Sequence, residues 1–195
     1  MFFNMIRDFE FTFMDDIEEV ATRRFANAVK NETRQYLSKF NLHLKSESFF
    51  KMGNDSHYEL KYIGLVGVIF TYYLFDSTIG VAIVQLSNGE LPEKYSFMKK
   101  KNYFPAITLS ALIEYKLNKK FDDPLPNPGP FANSIKSTLL KRQSILKDRL
   151  EEIVKFYISN LAVYANDLLC GDTAFFLPVQ EQYTSKVKRE YSWFK

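Results

Sequence analysis

Glu59-Leu60-Lys61 sets a carboxylate and an ammonium two residues apart, so in an extended segment both side chains leave the same face. That is the E-x-K half of a metal-dependent nuclease site, where the carboxylate holds a divalent ion and the lysine steadies the attacking water. Such a site also needs an acid on a preceding strand, and Asp55 lies only four residues upstream. Alternating charge on an exposed strand face accounts for the same pattern without catalysis. His43 and His57 have no second ligand type at metal spacing. Cys170 follows Leu168 and Leu169 at the end of an apolar helix and reads as a small buried residue, with no histidine close in sequence to activate it.

Other groupings have structural explanations. Asp15, Glu18 and Glu19 can share a helix face, and a capped helix start opposite the positive end of the macrodipole accounts for them. The acids from Asp167 to Asp172 surround Gly171, as at a helix end. Gly64-x-x-Gly67 has the glycine spacing of a KH-type clamp but lies in a strand block, whereas that clamp joins helices. The chain contains no G-x-S-x-G, Walker A loop or G-x-G-x-x-G. No catalytic residue, metal ligand or cofactor is expected.

The best functional lead is a basic segment. Lys94, Lys99, Lys100 and Lys101 are interleaved with Tyr95, Phe97, Tyr103 and Phe104, and Lys116, Lys119 and Lys120 follow. This composition can pair phosphate neutralisation with base stacking, or steer an anionic protein. The candidate partner-binding residues are Lys94, Lys99, Lys100, Lys101, Tyr103, Lys116, Lys119 and Lys120. By contrast, Arg7 stands alone in Met1 to Val20 against Asp8, Glu10, Asp15, Asp16, Glu18 and Glu19, so the net charge of +3 hides a split. Helix-turn-helix, zinc and RNP signatures are missing. The expected function is a non-catalytic protein-binding module, an inhibitor, immunity or regulatory accessory protein whose partner is another protein. The alternative is nucleic-acid binding through 94–120, and the third reading is a metal-dependent nuclease around Glu59 and Lys61.

At 195 residues, with 46% apolar and 25% charged content, the chain can build one real core, and a single domain over 1–195 is expected. One cysteine excludes an internal disulfide and a multi-cysteine zinc site, and fits a reducing, cytoplasmic setting. Met1 to Met14 carries Asp8 and Glu10 and has no apolar stretch of the kind that directs secretion. The uncharged run Tyr62 to Phe75 is too short to span a membrane and contains Gly64 and Gly67.

These patterns predict an α+β fold. An antiparallel sheet with its central strand about 67–75 is packed by helices about 15–40, 105–121, 131–170 and 178–192. Phe9, Phe11 and Phe13 alternate with polar residues like a first strand; a helix follows from Asp15 or Asp16 to Asn41. A linker falls around Ser46 to Ser48. Strands are then expected over His57 to Ile63, Gly67 to Phe75 and Ile79 to Leu86, with turns at Asp76-Ser77 and Asn88-Gly89. The middle strand is apolar on both faces and should be covered on both sides. Pro105 can open a helix with Leu109, Leu112, Ile113 and Leu117 inward. The prolines of 122–130 require an intradomain connector. Apolar spacing from Ile135 to Leu168 predicts a long helix that drops a beat near Arg142 and ends at Gly171. Pro178 starts the last helix, with Val179, Tyr183, Val187 and Tyr191 on one face.

Overall fold

A computed structural model describes residues 2–51, 56–126 and 132–190, with side chains described over 19–51, 56–126 and 135–189. The chain begins with α1 (Phe2–Tyr36), a 35-residue helix about 52 Å long. The expected strand at Phe9 to Phe13 is therefore helical. Ile6, Phe9, Phe13, Ile17, Ala21 and Phe25 recur at intervals of three or four, so the phenylalanines that alternate also satisfy the helical period. No glycine or proline occurs between Met1 and Met52, and nothing stops the helix from propagating toward the N-terminus. The expected stop holds: a 3-10 turn (Ser38–Phe40) ends on Asn41, which takes the left-handed conformation at φ 53°.

The segment expected to be a linker is β1 (His43–Phe50), paired antiparallel with β2 (His57–Ile63). Its polar Lys45-Ser46-Glu47-Ser48 run fits an exposed edge strand, which needs no alternating apolar face. β3 (Gly67–Tyr73) and β4 (Thr78–Val84) complete the meander, stopping short of Phe75 and Leu86. After an excursion containing the short β5 (Tyr95–Ser96), the chain returns as β6 (Phe104–Thr108). The strand order is β1-β2-β3-β4-β6-β5, antiparallel except for β5 against β6. This is an α+β architecture, as expected.

Pro105 lies inside β6 and opens no helix. Its ring costs the strand one donor, while its carbonyl accepts from the Gln85 amide at 2.9 Å. α2 (Leu109–Leu117) starts after Thr108, whose hydroxyl accepts from the Ala111 amide at 3.2 Å. Leu109, Leu112 and Ile113 are buried, but Leu117, expected inward, is exposed beside the left-handed cap Asn118. The long C-terminal helix is α3 (Ala132–Tyr164), followed by the single turn α4 (Asn166–Leu169). Its backbone departs from helical geometry at Arg149, and Ile135 is exposed. Gly171 caps α4 at φ 94°. After a 3-10 turn (Thr173–Phe175), α5 (Phe176–Glu190) carries Val179 buried with Tyr183 and Val187 half-buried on its inner side; Tyr191 and part of the Pro-rich connector lie outside the described residues.

The two faces of the sheet are covered differently. On one face Leu60, Tyr62, Val68, Phe70, Ile79, Val81, Ile83 and Ile107 meet Phe25 and Val29 of α1, Leu112 of α2, Leu150 and Val154 of α3, and Phe176 and Val179 of α5. On the other, Ile69, Ala82, Val84 and Ala106 are covered by Leu91, Tyr95 and Phe97 from the excursion between β4 and β6. The central strand is thus covered on both sides, the second by a loop. Gly67 permits this: a Cβ there would overlap Leu91 Cδ2.

Candidate functional site

The basic segment is divided between two supports. Lys94, Lys99, Lys100, Lys101 and Tyr103 belong to the irregular run around β5, whose carbonyl at Lys94 accepts from the Phe104 amide at 3.0 Å. Lys116, Lys119 and Lys120 sit at the end of α2 and just beyond it. α5 holds the first group in place. Gln180, buried on α5, donates from Nε2 to the carbonyls of Ser96 (2.6 Å) and Ala106 (3.1 Å), clamping β5 and β6 to the helix. Lys186 of α5 reaches Glu114 of α2 at 2.7 Å, and Glu114 also accepts from the Phe121 amide.

The candidate residues then separate by how their charge is held. Lys99 pairs with Glu181 at 2.8 Å. Lys116 pairs with Asp167 at 2.8 Å and lies over the Phe175 ring at 4.6 Å from its centroid. Lys116 holds the Asp167 carboxyl below its usual range, first through the hydrogen bond and then through its charge. Lys100 lies over the Tyr103 ring at 4.9 Å. Lys94, Lys101, Lys119 and Lys120 are exposed, as are Tyr103 and Phe104. Lys99, Glu181, Thr184, Ser185 and Lys188 line an open depression of about 440 Å³.

Tyr95 and Phe97 face the sheet and cover its second face, while Tyr115 on α2 is exposed. Burial pushes the Tyr95 phenol up, and the nearby Glu59 and Tyr73 charges push it the same way. Sequence spacing missed this inward turn, although Tyr95 and Phe97 alternate with Ser96 and Met98 as a half-buried edge would.

Glu59 and Lys61 do share a face of β2. They bond each other at 2.9 Å, with His57 Nε2 3.7 Å from Glu59, and all three are half-buried, which corrects the expectation of an exposed charged face. Phe50 stacks on His57 with centroids 4.9 Å apart, and Tyr73 follows at 5.8 Å. Lys61 meets the carboxylate directly, where a divalent ion would have to sit, and Asp55 lies outside the described residues. Among the described residues no three His, Cys, Asp or Glu form a group able to hold a metal ion. Cys170, expected to be buried, is exposed: it caps the single turn α4, whose buried residues are Leu168 and Leu169. Asp15 and Glu18 have no described side chains; Glu19 pairs with Arg23 one turn on.

The fold and these surfaces define an α+β protein with a six-stranded, mostly antiparallel sheet and helices against one face. Set against models of protein families, curated proteins and solved structures, the chain matches none. Among the described residues no helix is long and apolar enough to cross a membrane.

Proposed function

We propose that the protein is a non-catalytic protein-binding module, of the inhibitor, immunity or regulatory kind, that docks an acidic protein through its basic strip. The observation that carries this reading is the inward turn of Tyr95 and Phe97, which removes two of the segment's five aromatics from any stacking platform. What the segment offers outward is mainly charge: Lys94, Lys100, Lys101, Lys119 and Lys120, together with the exposed aromatics Tyr103, Phe104 and Tyr115. Exposed lysines around a few aromatics suit electrostatic steering onto a carboxylate-rich surface. The Lys99–Glu181 and Lys116–Asp167 pairs tie the two parts of the basic segment to α5 and α4, and the exposed lysines are its contact charges. A cytoplasmic setting belongs to the same reading, since an exposed thiol such as Cys170 persists under reducing conditions.

Fluorescence anisotropy with single- and double-stranded oligonucleotides at about 50 and 200 mM salt tests the choice of class. The expected result is no salt-sensitive affinity. Micromolar or tighter binding that weakens steeply with salt and is lost in a Lys100→Ala/Lys101→Ala variant would establish the nucleic-acid reading instead. The positive arm is a nuclease-resistant complex isolated from the native cell. Its association rate should fall with added salt and fall again in the Lys100→Glu/Lys101→Glu variant.

A further inference from the structure

We propose that the excursion between β4 and β6 is a latched cover: residues 86–103 release the second face of the sheet as a unit, with Gln180 of α5 as the latch, while the meander and the helices stay folded. No residue from Gln85 to Pro105 is buried. The cover's apolar contact comes from half-buried Leu91, Tyr95 and Phe97, which form with Ile69 and its neighbours a cluster separate from the core shared with the helices. Its backbone bonds tie it to itself and to the start of β6: Ser87 and Glu90 exchange bonds at 2.9 and 3.0 Å, and the Phe104 amide donates to Lys94 at 3.0 Å. β5 pairs with β6 over two residues, one of them opposite Pro105, which has no amide proton to give. Segments with few buried apolar contacts and exposed backbone bonds open at lower free energy than the core they lie on.

One buried side chain holds the cover shut. Gln180 donates from Nε2 to Ser96 in the cover (2.6 Å) and to Ala106 in β6 (3.1 Å), so a single amide joins cover, sheet and α5. The ion pairs that also tie the cover down, Lys45–Glu90 and Lys99–Glu181, are exposed; such pairs contribute little and weaken with salt. Leu86 and Leu91 seat against the bare backbone of Gly67, where a Cβ would press on both. Release uncovers Ile69, Ala82, Val84 and Ala106. It also frees Lys94, Lys99, Lys100, Lys101 and Tyr103 from their fixed arrangement, so the open form has lost much of the basic strip. That consequence, an off state for docking, rests on the function proposed above, whereas the opening itself is read on the protein alone.

Hydrogen exchange followed by NMR at increasing urea tests the cover. The amides of Ser87, Glu90 and Phe104 should exchange at least about a hundredfold faster than those of β3, with little dependence on urea, because a local opening exposes little surface. Gln180→Ala should speed these three amides about tenfold, the equivalent of one hydrogen bond. Phe70→Ala, on the helix side of β3, should speed the β3 amides and leave the three unchanged. Thiol labelling reads the uncovered face directly. In a Cys170→Ser background, Ala82→Cys should react much faster than Val81→Cys, its neighbour on the helix-covered face. The proposal is overturned if the three amides share the rate and urea dependence of β3, if Gln180→Ala leaves their exchange unchanged, or if the two thiols react alike.

Discussion

Arg142 lies among buried neighbours on α3 and ties distant parts of the chain together. Its guanidinium donates to the carbonyls of Pro126 at 2.8 Å and Asp76 at 3.2 Å, joining the helix to the Pro-rich connector and to the β3–β4 turn. The dropped beat in the apolar rhythm is thus a polar clamp. Arg142→Ala should cost about 1.5–3 kcal/mol, the range for hydrogen bonds involving a charged group, and should speed proteolysis within the connector. Gln180→Ala strips a buried and a part-buried bond at once and should cost about 1–3 kcal/mol by denaturant unfolding. Tyr58 provides a third check. Burial first, then its hydrogen bond to Glu47, pushes its phenol up to about 12. The folded state therefore keeps this proton after the unfolded chain has released it near pH 10. Its contribution to stability is complete below about pH 10 and is lost as pH rises toward about 12. Near-ultraviolet titration of the folded protein should show a late phenolate absent from Tyr58→Phe.

At the scale of elements, β3 separates two kinds of core. Phe70 points into the layer shared with the helices, in edge-to-face contact with Tyr62 at 5.8 Å, whereas Ile69 points into the small cluster under the loop. Helices locked by many neighbours collapse poorly around a cavity, and a loop collapses more readily. Phe70→Ala should therefore cost about 3–5 kcal/mol and Ile69→Ala nearer the lower end of about 2–5 kcal/mol, both read by chemical denaturation. Equal losses would mean that the loop is held as rigidly as the helix layer. Asn88 and Gly89 both take positive φ, 52° and 82°, in the turn closed by the Ser87–Glu90 bridge. Gly89→Ala should cost about 1–2 kcal/mol, although a Cβ there meets nothing within 4 Å, because the strain lies in the backbone.

Across the whole molecule, two ion pairs link the helical layer internally and to the sheet edge. Arg24 of α1 holds Glu151 of α3 through both carboxylate oxygens, and Lys30 of α1 holds Glu47 of β1 at 2.8 Å. Both carboxyls are held below their usual range, in each case chiefly by the hydrogen bond from the cation. Depressed folded values mean that the stabilisation is present above about pH 4.5 and disappears as pH falls through the lowered values. Glu151 is more than half exposed, so its share is no more than about 1 kcal/mol and shrinks with salt. Glu151→Gln should flatten the acid side of the stability profile at low salt and change little at high salt.

The meander was legible in the sequence because its signals are local. The uncharged run of β3 is apolar on both faces, Asn88-Gly89 carries its own turn chemistry, and Gly171 can take the left-handed cap that the end of α4 requires. The lysine candidates could be named for the same reason, since their charge does not depend on the fold. Elements with two valid local readings were settled elsewhere. Phe9 to Phe13 satisfies periods of two and of three to four, and the absence of any breaker favoured the helix. Pro105 suits a helix start or a strand that does not need its donor, and pairing with β4 and β5 selected the strand. β1 has almost no apolar face, so only its partner β2 makes it a strand. The site followed the same division. Sequence alone determined which side chains are charged or aromatic. Tertiary packing decided that Tyr95 and Phe97 turn inward, that Glu181 and Asp167 hold Lys99 and Lys116, and that the edge of β1 stays open. The two ion pairs join residues 82 and 51 positions apart, and the other two features depend on the sheet order, neither of which a local pattern encodes.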